Sequence, residues 1–423
     1  MTAFALALLV AVVVAAVGAL LRFAFAMSRL DGIVITYVLA EAAKKILYIV
    51  AGYADKSFSY VISAPLILAA IWWYRNRLPV SEIQAPLTWL LIWIGSIAFF
   101  TWLNPAGNLI ALSAYAVIWL WITAASGALG YPGKWTYRVL CLAVAWAAVN
   151  QIWGPDPLWT AYRHVADPVS IGARYLSDAG YTGSLFSSPS ELGNFVLAAT
   201  ALLAGLEKMP RGLPLISIAG ALLSGSRYVL FGVMIFWIVW IFFKVFKKVK
   251  VKPSYAIAII ITYPFIQDII GTWILRNPIT IHTEEELIRR LTTIGTMEAR
   301  VGFSEALISV LPQYWINGVG MWDMFSRDAN ISDDRHNIIL TMIIRGGIFA
   351  LLSYFLFVWY HLRKFTELDN KYKRSAMAYL IAVLIMSMGG PQAQNNWFFL
   401  TTGTFFYIAN FMSVKREERY ELP

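Results

Sequence analysis

The chain is poor in charge. Charged residues make up 14% of its 423 positions and apolar residues 59%, against about 25% and 45–50% in soluble globular proteins. That balance excludes a soluble globule. Cysteine is nearly absent: Cys141 stands alone in an apolar run, which excludes an internal disulfide. Several chemical signatures are missing. There is no glycine loop closing on lysine, no His-Glu-x-x-His and no Cys/His cluster. No Asp-x-Asp pair falls in the segments assigned below to the outer side. Metal-assisted transfer from a nucleotide sugar therefore has no support, and no metal or other cofactor is expected. The net charge of +10 sits mainly in short loops. It reads as an orientation signal rather than as nucleic-acid binding.

Long apolar runs recur along the whole chain, which predicts an all-α, polytopic bundle of transmembrane helices. Candidate spans fall at about 3–21, 32–53, 59–74, 87–103, 107–127, 137–153, 191–206, 213–226, 228–243, 255–275, 337–359, 376–389 and 396–412. That is about 11–13 spans in one integral membrane domain over residues 1–423. The first run has no preceding basic region and reads as a retained helix, not a signal peptide. The second is interrupted by Glu41, Lys44 and Lys45, of which Glu41 and Lys45 form an i,i+4 pair. Several runs are short for a core of ~30 Å, so one or two are expected to be broken or re-entrant.

Orientation follows from the basic residues. Arg75, Arg77, Lys134, Arg138, Lys208, Arg211 and the segments 244–252, 363–374 and 415–419 fall on one side of the alternating spans. By the positive-inside rule that side is cytoplasmic. Residues 153–191, the turn at Ser224–Arg227 and residues 276–345 then face outward, with 276–336 as the one large outer loop, containing short helices. In it, Thr283 and Glu286 make a capping-box pattern, residues 300–311 have helical spacing that Pro312 stops, and Gly318 and Gly320 mark a turn.

The two long outer segments carry Arg163, Arg174, Arg276, Arg289, Arg290, Arg300, Arg327, Arg335 and Arg345, and no lysine. Arginine presents a planar fork of donors that fits phosphate oxygens bidentately. Such loops suit an anionic lipid-linked substrate; equally, lysine is simply depleted outside. Four constellations concentrate the polar residues. Gly220–Tyr228 holds Ser224, Gly225, Ser226 and Arg227 in a small-residue turn before a helix, a natural phosphate site, or an arginine reaching for headgroups. Met297–Arg300 precedes the amphipathic stretch ending at Pro312 and Gly318-Val319-Gly320, where Arg300 is either functional or a solvated loop charge. Asp333-Asp334-Arg335-His336-Asn337 opens an apolar run; His336 is a candidate general base or a helix cap. Arg174 precedes the polar turn Gly183–Asn194, which also reads as an ordinary Ser/Pro-rich helix start. Trp315 and Trp322 would stack on sugars or lie in the membrane interface.

Together, in this order, these constellations resemble the O-antigen ligase and O-antigen polymerase superfamily over residues 170–360. The family's ligase pattern is His-Asn, nine residues, then Gly-x-x-Gly. Here His336-Asn337 is followed at that spacing by Gly347, but Ala350 replaces the second glycine and Leu351 the usual threonine. This departure favours polymerase over ligase. The resemblance implies a cytoplasmic-membrane enzyme with an outward site. It would move a glycan from a polyprenyl-diphosphate carrier to a glycan or lipid-linked acceptor in surface-polysaccharide assembly. Arg227 and Arg300 would match its essential arginines and His336 its base, with Arg174, Ser226, Arg335 and Asn337 binding substrate. A polysaccharide chain-length regulator is a further implied partner; nucleic acid is not. Two other classes compete. A transporter or flippase of lipid-linked glycans would show internal repeats, paired broken helices and mid-membrane charges. A structural subunit of an export complex would leave Arg227, Arg300 and His336 dispensable.

Overall fold

The computed structural model describes residues 3–51, 80–104, 118–153, 161, 185–186, 188–206, 208–246, 311–321, 338–368, 370–387 and 395–420. Among these residues there is no strand. The helices are α1 (Ala3–Ala24), α2 (Arg29–Ala51), α3 (Val80–Leu103), α4 (Ile118–Ala125), α5 (Lys134–Trp153), α6 (Pro189–Ala204), α7 (Leu213–Leu223), α8 (Arg227–Val245), α9 (Ile338–Phe365), α10 (Asn370–Met386) and α11 (Asn396–Tyr420). Each coincides with one of the apolar runs. The runs at 59–74 and 255–275 lie outside the described residues. So does the loop 276–336 apart from residues 311–321.

Among the described residues, four helices are long and apolar enough to cross a membrane, over Ala5–Ala24, Ile83–Leu103, Tyr228–Val245 and Ile338–Phe365. Their outer faces agree with that. Leu20, Leu91, Phe231, Ile238 and Phe349 are all well exposed, which an aqueous surface would penalise and lipid would not.

The helix at the centre is α6. Every side chain from Leu192 to Ala204 is buried, beneath α5, α7, α8, α10 and α11. A helix apolar on all sides belongs in such a position. Around it, α1 pairs with α2, α3 with α9, α4 with α11 and α8 with α10. Trp93 of α3 anchors one seam, with Tyr354 and Phe357 of α9 and Phe399 of α11 around it at ring separations of 5.3, 6.4 and 6.0 Å. Several buried threonine hydroxyls are satisfied locally. Thr36, Thr101, Thr200, Thr402 and Thr404 each donate to the carbonyl one turn back.

The helix α2 is continuous through Glu41, Lys44 and Lys45, with Glu41 and Lys45 both buried. Its first turn is tied to α5. One oxygen of Asp31 accepts from Gly133 N, Thr136 N and Thr136 Oγ1 at 3.0, 2.9 and 2.6 Å, satisfying amides at the start of α5. Basic residues gather at this end of the bundle over aromatic rings. Arg138 lies over Trp135, Arg374 and Lys244 over Trp240, and Arg363 over Trp359.

One helix is broken. In α9, Gly347 takes φ 64°, ψ −167°, and residues 311–321 fill the break. Val319 N donates to Ile344 O, Gly320 N to Arg345 O, and Ile348 N to Trp315 O. Carbonyls released by the kink thus find new donors. The same segment is held to the end of α3, where Asn104 donates to Val319 O and Thr101 Oγ1 accepts from Met321 N. Residues 311–314, Pro312 among them, are helical, while residues 301–310, whose helical spacing Pro312 is expected to stop, lie outside the described residues. The chain turns at Gly318, with φ 57°.

Candidate functional site at the converging helix ends

Four helices begin at the end of the bundle opposite those basic residues. α6 starts with Ser188 as N-cap, φ −149° and ψ 156°, its Oγ accepting from Glu191 N; Pro189 follows, where no amide is needed. α11 starts with Asn395 Oδ1 accepting from Phe398 N at 2.7 Å. α9 starts with Ile338 N donating to Ser387 O at 3.0 Å, just beyond α10. α8 starts differently. Ser226 has the extended backbone of an N-cap, yet its side chain caps nothing. Ser224 Oγ accepts from Ser226 N instead and donates to Ala221 O, and Gly225 turns the chain with φ 65°. Ser226 is 1% exposed, and its Oγ has no partner.

Side chains knit these ends together. Ser190 of α6 and Tyr228 of α8 share a short hydrogen bond through their hydroxyls. Gly193 faces Val229 so closely that a Cβ would meet the valine side chain at 2.3 Å. Tyr37 of α2 donates to Glu191 Oε2 at 3.0 Å, and Asn396 Nδ2 of α11 donates to Tyr37 OH at 3.2 Å. Gly232 of α8 lies against Met386, beside the start of α9. An aromatic layer supports the cluster, with Tyr37 and Phe195 packed on Trp397 and Phe186 on Phe195.

This end is stepped. Gly220 of α7 packs between Val144 of α5 and Val196 of α6. Past that level α7 runs on for about 5 Å, α6 for about 11 Å and α5 for about 14 Å along their own axes. Of α5, α6 and α7, α5 therefore runs furthest past the level of Gly220. Tyr37 reaches Glu191 through its hydroxyl, and α2 continues to Ala51, about 21 Å further along its own axis.

The electrostatics favour an anion at one side of this step. Each helix N-terminus carries roughly half a positive charge, with unpaired amides, and Arg227 is the first residue of α8. The other side is carboxylate: Glu191, with Glu41 and Lys44 of α2 near enough to act on it electrostatically.

Of the residues singled out from sequence, Ser226 and Arg227 stand at this step. Arg174, Arg300, Arg335, His336 and Asn337 lie outside the described residues; Ile338, which follows Asn337, opens α9 at the same end. Tyr37 and Asn396 belong to none of the sequence constellations; Tyr228 and Glu191 fall within two of them without an assigned role, and nothing local links Glu191 to Tyr37, 154 positions away. The one histidine among the described residues, His361, has both ring nitrogens occupied: Nε2 accepts from Trp121 Nε1 at 2.9 Å and Nδ1 pairs with Phe357 O at 2.8 Å. Aromatic rings enclose it, so its role is packing. Among the described residues no group of His, Cys, Asp and Glu could hold a metal.

Comparisons with family models, with curated proteins and with solved structures give no match.

Proposed function

We propose that this chain is a membrane glycosyltransferase of the O-antigen polymerase or ligase type. On this reading it transfers a glycan from a polyprenyl-diphosphate carrier to an acceptor hydroxyl, at the outer face of a cytoplasmic membrane. The observation that carries it is the start of α8: a helix N-terminus with Arg227 at its first position and a buried Ser226 hydroxyl that no group among the described residues uses. A diphosphate oxygen is the chemistry those groups match.

The reaction asks little of the protein. The diphosphate is already a good leaving group, and negative charge grows on it as the anomeric C–O bond breaks. Guanidiniums from Arg227 and Arg300, with helix amides, stabilise that charge and make a divalent metal unnecessary. The acceptor hydroxyl attacks from the opposite face with inversion. His336 takes its proton. Arg174, Arg335 and Asn337 complete donor binding. A chain-length regulator is a partner this reading allows. The replacement of the second glycine by Ala350 favours polymerase over ligase.

A second reading, a transporter of the same lipid-linked glycans, draws support from the break in α9 at Gly347 and the buried charges Glu41 and Lys45. Reconstitution separates the two. Purified protein in vesicles loaded with polyprenyl-diphosphate glycan on one leaflet is expected to lengthen or transfer the glycan there. Movement of unaltered donor between leaflets, without transfer, would favour the transporter.

A further inference from the structure

We propose that Glu191, held by Tyr37 and Asn396, is the subsite that binds a hydroxyl of the acceptor sugar. This rests on the transferase reading and adds residues that its sequence resemblance does not supply.

The geometry makes Glu191 a fixed group with one free acceptor. Its amide is taken by Ser188 Oγ, which sets the first turn of α6. Its Oε2 accepts from the Tyr37 phenol, itself steadied by Asn396 Nδ2. Among the described residues nothing hydrogen-bonds Oε1, and the residue is neither sealed in the core nor fully exposed. Three helices, α2, α6 and α11, thus hold one carboxylate in place while half of it stays unused. Unlike Ser226 Oγ, Oε1 is not buried, so it stays open to an incoming donor.

The ligand class follows from charge. A carboxylate repels phosphate, so this corner is unsuited to the donor's diphosphate. It accepts hydrogen bonds, and a sugar offers hydroxyls. The adjoining corner has the opposite character: Ser226 Oγ is buried and unpartnered at the N-terminus of α8. The two corners are joined directly by the Ser190–Tyr228 hydrogen bond. One step of the bundle therefore offers an anion subsite and a hydroxyl subsite side by side, as joining a glycosyl diphosphate to a sugar hydroxyl requires. Glu191 is proposed to orient the acceptor, not to take its proton.

The test uses the full-length purified protein with its lipid-linked donor, and oligosaccharides released by mild acid from the host's surface glycan as acceptor probe. With donor fixed and acceptor varied, Glu191→Gln is expected to raise the acceptor KM about ten-fold, because a charge-assisted hydrogen bond becomes a neutral one. The donor KM should stay within about two-fold. Tyr37→Phe removes only the hydroxyl that steadies the carboxylate, and should shift the acceptor KM in the same direction by a smaller factor. It serves as the second variant if Glu191→Gln does not fold. Binding of the same oligosaccharides, measured by calorimetry without turnover, should weaken in parallel. A folded Glu191→Gln or Tyr37→Phe protein with an unchanged acceptor KM, or with donor and acceptor KM raised equally, would overturn the proposal. A wild-type protein that binds the oligosaccharides but transfers nothing would instead overturn the transferase reading and leave the subsite standing.

Discussion

Gly320 donates its amide hydrogen to the carbonyl of Arg345 at 2.9 Å, two residues before α9 breaks at Gly347. The contact joins two motifs far apart in sequence. The Gly-x-Gly turn supplies amides, and the kink supplies carbonyls without helical partners. Glycine is needed at the kink for two reasons. Its φ of 64° is left-handed, and a Cβ there would lie 1.9 Å from Ile316 O. Gly130 makes a control, since it also has positive φ, 70°, but open space around it. Gly130→Ala is expected to cost only the conformational strain of about 1–2 kcal/mol. Gly347→Ala should cost clearly more, because backbone must move as well. Thermal unfolding of the detergent-purified proteins measures both. Equal losses would show that the clamp at Gly347 is not rigid.

Much of the fold was legible because lipid and core impose the same demand. An apolar run such as residues 191–206 had to become a buried or lipid-facing helix, and α6 did. The continuity of α2 was not legible: Glu41 and Lys45 looked like an interruption, while the helix simply buries them. The glycines at 318 and 320 announced a turn, but not that its amides serve a kink in α9. At the site, Ser226 and Arg227 could be found because a small-residue turn before a helix is a local pattern. Tyr37, Glu191 and Asn396 could not, because their hydrogen bonds span 154 and 359 positions. Only packing brings them together.

The basic residues at one end of the bundle carry a topological expectation. Lys134, Arg138, Lys244, Arg363 and Arg374 lie at the end opposite Arg227, several of them over aromatic rings. By the positive-inside rule that end is expected to be cytoplasmic. Reporter fusions at Lys250 and at Asn330 should therefore give opposite compartment signals. Matching signals would sink the assignment of the site to the outer face.

Arg227→Lys and Arg300→Lys keep the charge and lose the bidentate fork. If both guanidiniums hold the diphosphate, donor affinity and turnover should fall together in each variant. Donor binding is measured by equilibrium titration and turnover by glycan transfer. Wild-type values for both quantities in either variant would return that arginine to the role of a loop or interfacial charge.

His336→Ala should behave differently. A base acts on the acceptor proton in the transition state, so turnover is expected to fall by ~10²–10⁴-fold while donor binding stays nearly intact. A strongly nucleophilic acceptor should recover part of the loss. If the folded variant turns over like wild type, His336 is only a helix-start residue. The polymerase reading then gains over the ligase reading, since it depends less on that base.

Ser226 separates a ligand site from a cap. Replacing an N-cap serine by alanine ordinarily costs about 1 kcal/mol, because an amide of the first turn loses its acceptor. Here the hydroxyl accepts nothing; Ser226 N is bound by Ser224 Oγ, and Ser226 Oγ is buried without a partner. Removing an unpaired buried hydroxyl is neutral or stabilising. Ser226→Ala should therefore leave the melting temperature unchanged or slightly raised, while donor affinity falls roughly 10–150-fold, the worth of one hydrogen bond to a charged oxygen. A lowered melting temperature with unchanged donor affinity would mean that the hydroxyl caps α8, and the anion site would lose its second support. A lowered donor affinity at undiminished stability is the combination that only a ligand-facing hydroxyl produces.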